Sequence, residues 1–138
     1  MAITQAMCTS FKSECLQEGH QMATDTIKIA LFTSSATLGA TTTAYSTTNE
    51  ISGTGYSAGG VALTSQVVST SSTTAYLDAA DPSWTTASFT ANGAVIYNST
   101  NSDKAIAVLA FGGDFTVSAG TFTIVFPAAG AAAIIRID

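Results

Sequence analysis

The hydrophobic positions of this chain change their period about twenty residues in. Met7, Phe11 and Cys15 recur at four-residue steps with Cys8 and Leu16 beside them, while Lys12, Glu14, Gln17 and Glu18 lie mostly on the other side. Apolar residues spaced by three and four mark a helix with one buried face. Thr4 suits an N-cap and Gly19 a stop, so the pattern predicts a helix over 5–18. From Thr26 the period drops to two: Ile27, Ile29 and Leu31 alternate with Lys28 and Ala30, as a strand with one buried face requires. Further strands are predicted over 61–68, 73–77, 88–90 running into 93–97, 105–111, 121–126 and 133–137. Clusters of turn-forming residues separate them, at 69–72, Asp81-Pro82, 98–103, Gly112-Gly113 and 127–130.

Between the first strand and the next lies a polar stretch, 34–60, rich in Thr, Ser and Gly. Tyr45, Ile51 and Tyr56 stand in it as isolated large side chains, and Gly53, Gly55, Gly59 and Gly60 supply tight bends. A flexible linker has no use for such anchors, so an ordered loop pinned by its tyrosines is expected. The whole pattern predicts a mainly β, single-domain fold: an antiparallel β-sandwich or small barrel with one N-terminal α-helix and a long ordered Thr/Gly-rich loop. Residues 1–22 form the helix or arm and 26–138 the β-domain. A chain of 138 residues and 14.0 kDa suits this, because folding at that size buries about two-thirds of the surface the unfolded chain exposes.

Composition narrows the function. Only 9% of residues are charged, against about 25% in an ordinary globular domain. The net charge is −5 and the cations are Lys12, Lys28, Lys104 and Arg136. Nucleic acid and anionic membranes both require a cationic footprint, and none is present. No apolar run approaches the roughly 18 residues of a membrane span. The N-terminus lacks a basic region followed by an apolar core, so folding in the cytoplasm of the producing cell is expected.

Catalytic chemistry is poorly provided for. His20 is the one histidine, so no Ser-His or Cys-His pair can form without it, and a solvated or capping role beside the helix end is expected. Glu14, Glu18, Glu50, Asp25, Asp78, Asp81, Asp103, Asp114 and Asp138 are scattered singly. Asp78 and Asp81 flank a bend before Pro82, where a carboxylate that accepts backbone N–H bonds is expected. The glycines at 53, 55, 59 and 60 neither lead into a helix nor precede a lysine, as a phosphate loop would. Cys8 and Cys15, seven apart on a helix, sit about 10 Å from each other, too far for a disulfide. They are expected as small apolar residues on the buried face, and one histidine with two cysteines makes no zinc site. No catalytic residue, cofactor or metal is therefore expected. Trp84, with Phe89 and Tyr97 nearby, is expected as a core or interface anchor, with a sugar-stacking platform as the alternative. Its place after Asp81-Pro82-Ser83 suggests partial exposure.

The scarcity of charge is itself informative. A soluble β monomer guards its sheet edges with charge, lysine above all. A chain this neutral needs neighbours to cover its edges, which predicts a subunit of a larger assembly and a homo-oligomer. The interface candidates are the N-terminal segment (Ile3, Met7, Phe11), the loop anchors Tyr45, Ile51 and Tyr56, and Trp84.

Several segments bear a family resemblance. The opening Met1-Ala2-Ile3-Thr4-Gln5-Ala6-Met7-Cys8-Thr9-Ser10-Phe11-Lys12 is similar to the start of small virion proteins of tailed bacteriophages. So are Lys28-Ile29-Ala30-Leu31-Phe32-Thr33-Ser34-Ser35-Ala36-Thr37-Leu38, Thr48-Asn49-Glu50-Ile51-Ser52-Gly53-Thr54-Gly55-Tyr56, and Ala94-Val95-Ile96-Tyr97-Asn98. The ending, from Phe126-Pro127 to Ala133-Ile134-Ile135-Arg136-Ile137, resembles the same family, although the alanines between depart from it. These proteins resemble capsid decoration (cement) proteins, which clamp neighbouring major capsid subunits from outside. The resemblance implies a virion structural protein at the capsid surface, made in the host bacterial cytoplasm. Its partners would be the major capsid protein and other copies of itself. The alternative is a tail or fibre component that contacts host-surface glycans. The resemblance supplies no catalytic residues.

Overall fold

A computed structural model describes residues 2–17 and 19–137. Its elements in chain order are β1 (Ala6–Met7), α1 (Thr9–Cys15), β2 (Ile27–Phe32), β3 (Val61–Ala62), β4 (Val67–Ser71), β5 (Thr74–Asp78), β6 (Ser83–Asn98), β7 (Lys104–Thr123) and β8 (Ile135–Ile137). They form two antiparallel sheets, one in the order β1-β7-β6-β2-β3 and one in the order β4-β5-β8. Neither closes on itself, so of the two architectures expected the sandwich-like one is present and the barrel is not.

The core centres on the first sheet. β2 pairs with β6 from Ile27↔Asn98 to Phe32↔Gly93, and β6 pairs in turn with β7. Every residue of β2 except Lys28 is buried, as are Gly93–Asn98 of β6 and Ala105–Leu109 of β7. These stretches are covered on both faces, so 93–97 and 105–109 read as apolar runs, while β2, expected with one buried face, also buries Ala30 and Phe32 on the other. The first half of β6 has one face covered: Trp84, Ala87, Phe89 and Ala91 are buried between exposed Ser and Thr. An extra residue, Thr86 (φ 49°), shifts the alternation between Trp84 and Ala87.

Four sequence expectations are corrected. The predicted 5–18 helix is half that length, because Ala6 and Met7 pair with Val108 and Ala107 of β7. The N–H groups of Cys8 and Thr9 then bond to Ile106 O and Ala40 O. Helix therefore starts only at Thr9, with Cys8 and not Thr4 as its N-cap, and Leu16 closes it. Glu18, the predicted last residue, lies outside the described residues, as do Met1 and Asp138. The predicted 61–68 strand is two, since Ser65 at φ 56° breaks it and carries the chain from one sheet to the other. The predicted 88–90 strand does run into 93–97, within a β6 that starts earlier at Ser83, whereas 105–111 and 121–123 are parts of one strand, β7, and 124–126 lie outside it.

Gly112-Gly113 does not end a strand. Ala91 faces Phe115 and Gly93 faces Ala110, so Asn92 alone spans residues 111–114 of β7. This is an enlarged bulge, held by a 2.9 Å bond from Asn92 Nδ2 to Asp114 Oδ1 and permitted by Gly112 at φ +81°. The bend brings Phe111 within 6.1 Å of both Phe115 and Phe122.

Candidate functional site

The 34–60 loop is held by one carboxylate. Glu50 Oε1 accepts the Tyr45 hydroxyl at 2.6 Å; Oε2 accepts the Tyr56 hydroxyl at 2.5 Å and the Gly59 N–H at 2.7 Å. Tyr45 stacks on Tyr97 with ring centres 4.5 Å apart, and Tyr97 donates to Gly59 O at 2.6 Å. β3 covers the edge of β2 only at Lys28 and Ile29. Beyond it the loop takes over: Ile51 N–H donates to Leu31 O, Thr33 N–H to Asn49 O, and Leu31 N–H to the Tyr56 hydroxyl oxygen. A phenol oxygen thus stands where a neighbouring strand would place a carbonyl. Burial first, and the Glu50 bond second, push the hydroxyls of Tyr45 and Tyr56 well above the usual tyrosine range. Burial raises Tyr97 to about 12.

A second polar cluster ties the β6–β7 turn to the segment after α1. Asn98 is fully buried. Its Oδ1 accepts the N–H groups of Thr100 and Asn101, which fixes the amide and turns Nδ2 to Asp25 Oδ2 (2.7 Å) and His20 Nδ1 (3.0 Å). His20 Nδ1 is then an acceptor, and Nε2 carries the proton that it donates to Glu14 Oε1 at 2.8 Å. Lys104 stands 3.8 Å from the other oxygen of Glu14, and Asn101 Nδ2 donates to Gly19 O. The bond from Asn98, then that from the Gln21 N–H, hold the Asp25 carboxyl below its ordinary range.

The expectation of a solvated or capping His20 is corrected. The imidazole is fully buried, with the Phe11 ring 5.0 Å away. Both nitrogens are engaged, which leaves none free to move a proton to or from a ligand. Cys8 and Cys15 are free thiols, buried and half-buried; burial, then Glu14, pushes Cys8 up to about 11 and raises Cys15, so both are protonated at neutral pH. Asp81 accepts a backbone N–H as expected, from the distant Phe126.

The interface candidates separate into two groups. Ile3 and Met7 are half-buried and Phe11 buried on one side, with Ile3 bridged to Leu38. Tyr45 and Tyr56 converge on Glu50, Ile51 is buried, and Tyr56 lies 6.3 Å from Trp84. Trp84 is buried, against the expected partial exposure, because its phase of β6 faces inward beneath Tyr56, Phe89 and Phe122. Its indole N–H has no hydrogen-bond partner among the described residues. With that face covered, Trp84 offers no platform for a sugar.

The open surface is elsewhere. Beyond the bulge, Phe111, Phe115, Phe122, Ile124 and Val125 line an apolar trough, with Val125 76% and Phe115 53% exposed. On the other sheet, Val67, Val68 and Ile137 are exposed, as is Leu16 at the end of α1. A cleft over Phe32, Leu38 and Val95 is rimmed by hydroxyls, such as those of Thr41 and Thr43, and carries no charge. Sequence reasoning missed the trough because Gly112-Gly113 reads as a turn; the signal was the density of large apolar residues from 115 to 126. It missed Glu50 and Asn98 because each looks like a lone polar residue in a turn-rich stretch. No protein-family model matches the chain, and no curated protein or solved structure matches it either.

Proposed function

We propose that this chain is a structural subunit of a tailed-bacteriophage virion, a decoration (cement) protein that binds the major capsid shell and other copies of itself. The observation that carries the reading is the apolar trough of Phe111, Phe115, Phe122, Ile124 and Val125 on a chain so poor in charge. Incomplete folding does not account for it. The accessible surface of 6801 Å² is close to the roughly 6,700 Å² expected of a compact monomer of this mass. An exposed apolar patch on a compact domain suits contact with another protein. The two polar clusters serve the fold and present no reactive group, so the reading is one of binding and not of chemistry. The sequence resemblance supplies the kind of assembly.

The mechanism is mass action. A subunit that binds the assembled shell and not its dissociated parts stabilises the shell. Modest contacts suffice, since a lattice of copies raises the effective concentration at each one. The test is a phage that lacks the gene. Its particles should stay infectious but lose DNA on heating or in low salt, and added wild-type protein should restore them. Phe115→Asp combined with Val125→Asp should not. Equally robust heads combined with lost adsorption would overturn this reading in favour of a tail or fibre component.

A further inference from the structure

β2 pairs with β6 only from Gly93 to Asn98 and β1 with β7 only at Ala107 and Val108, so the β6–β7 ribbon continues beyond them; the strands that end the two sheets are β1 and β3 with two residues each, β8 with three and β4 with five. An edge offers unpaired donors and acceptors, and proteins guard it by keeping it short or placing charge on it. β1 and β3 are guarded by their length, and β8 is short and carries Arg136. β4, Val67-Val68-Ser69-Thr70-Ser71, has neither protection. No charged residue occurs between Glu50 and Asp78. Four of the five residues of β4 are exposed, with Val67 at 52% and Val68 at 50%.

The free groups can be named. Ser72-Thr73 joins β4 to β5, with Ser71 opposite Thr74. Across such a turn the first carbonyl accepts the N–H of the fourth residue. Ser71, Ser69 and Val67 therefore direct their backbone groups at β5, and the antiparallel alternation turns those of Val68 and Thr70 outward.

We propose that β4 pairs antiparallel with β4 of a second copy of this chain, centred on Ser69, so that two three-stranded sheets become one of six strands. The proposal rests on reading the chain as an assembly subunit and names one contact between copies. The strand is self-complementary about Ser69. Val68 of one copy falls opposite Thr70 of the other, so the N–H and C=O of each exchange bonds twice across the pair. No like charges meet, and the contact closes on itself as a two-fold interface must. Val68 lies on the sheet face with Leu77, Ile135 and Ile137, beside Cys15 of α1. Pairing therefore joins the apolar faces of two copies, including the exposed Ile137.

The register makes a sharp test. Ser69 faces its own copy in a non-hydrogen-bonded pair, where Cα atoms are about 4.5 Å apart, within disulfide range. In purified full-length protein with Cys15→Ser, Ser69→Cys should form a disulfide dimer on mild oxidation. Its rate should exceed that of the exposed control Ser57→Cys by about tenfold or more, through effective concentration. Adding Thr70→Lys should reduce the rate to the control level while circular dichroism and the melting temperature stay unchanged. Crosslinking of Ser69→Cys no faster than the control overturns the pairing, as does crosslinking that Thr70→Lys leaves intact. The assay uses isolated protein, so its failure is separable from that of the virion reading, which is decided on particles.

Discussion

Glu50→Ala is the perturbation that tests most directly how this fold is held. The carboxylate accepts three hydrogen bonds, from Tyr45, Tyr56 and the Gly59 N–H. A bond to a charged group contributes about 1.5–3 kcal/mol, and a buried donor left without a partner costs about 1–3 kcal/mol. Tyr45 and Tyr56 are half-buried, so water replaces part of what is lost. The expected loss is about 3–4 kcal/mol, or on the order of 10 °C in melting temperature for a chain of this size. Glu50→Gln should cost about 1–2 kcal/mol: its carbonyl serves Tyr56 and Gly59, and the Tyr45 hydroxyl can rotate to accept from the new amide. The tyrosines should also rank. Tyr56 both donates to Glu50 and accepts the Leu31 N–H, whereas among the described residues the Tyr45 hydroxyl makes only the Glu50 bond. Tyr56→Phe should therefore destabilise more than Tyr45→Phe. Urea titrations followed by circular dichroism and by Trp84 fluorescence give these values directly. Glu50→Ala within 1 kcal/mol of wild type, or Tyr45→Phe worse than Tyr56→Phe, would refute the account.

Three further predictions follow from the same packing. Gly60→Ala should prevent folding or cost more than about 3 kcal/mol, because an added Cβ would lie 1.8 Å from Ile29 O at φ +75°; Gly112→Ala, at φ +81° with nothing within 4 Å, should cost only about 1 kcal/mol, and similar melting temperatures for the two would contradict this. Tyr45, Tyr56 and Tyr97 all titrate higher in the fold than the ordinary value of about 10, so their contribution is complete below about pH 10 and is lost as pH rises through the folded values. Above pH 10 the unfolding free energy should fall, at about 1.4 kcal/mol per pH unit for Tyr97 alone, and the urea midpoint with it; a midpoint unchanged from about pH 9 to 11 would exclude the raised values. Asn98→Ala strips partners from Asp25, His20, Thr100 and Asn101 together and should cost about 3–5 kcal/mol; a loss below about 1 kcal/mol in chemical denaturation would mean that the cluster does not hold the turn.

What was legible in the sequence follows from how local each feature is. β2 was visible because Ile27, Ile29 and Leu31 alternate within one segment, and the ordered loop because Tyr45, Ile51 and Tyr56 have no use in a linker. The helix was overextended because Ala6 and Met7 carry helical spacing yet find β7 a hundred residues away. Periodicity registers which face is apolar, not which neighbour takes the backbone. The unity of β7 was hidden for a related reason: Gly112-Gly113 is a turn signal, and only the opposing Asn92 makes it a bulge. Glu50 and Asn98 were invisible as organising residues because their partners are spread over the chain. Asn98 alone joins residues 73 and 78 positions distant.

The edges of the sheets connect these failures to function. A charge-poor β chain must satisfy its edge backbone groups by some means other than lysine. Here the outer edge of β2 is closed from within, by Asn49, Ile51 and the Tyr56 hydroxyl, with Glu50 holding that tyrosine in place. From Ala107 to Ala110, β7 is closed by β1 and by the Gln5 side chain, which accepts the Ala110 N–H. Both closures use segments that periodicity alone assigns to helix or loop. β4 receives no such cover within the chain, although Thr-rich segments able to provide it are plentiful. Among the described residues its open length and neutrality are not accounted for by internal folding, which is why we propose a second copy as its cover.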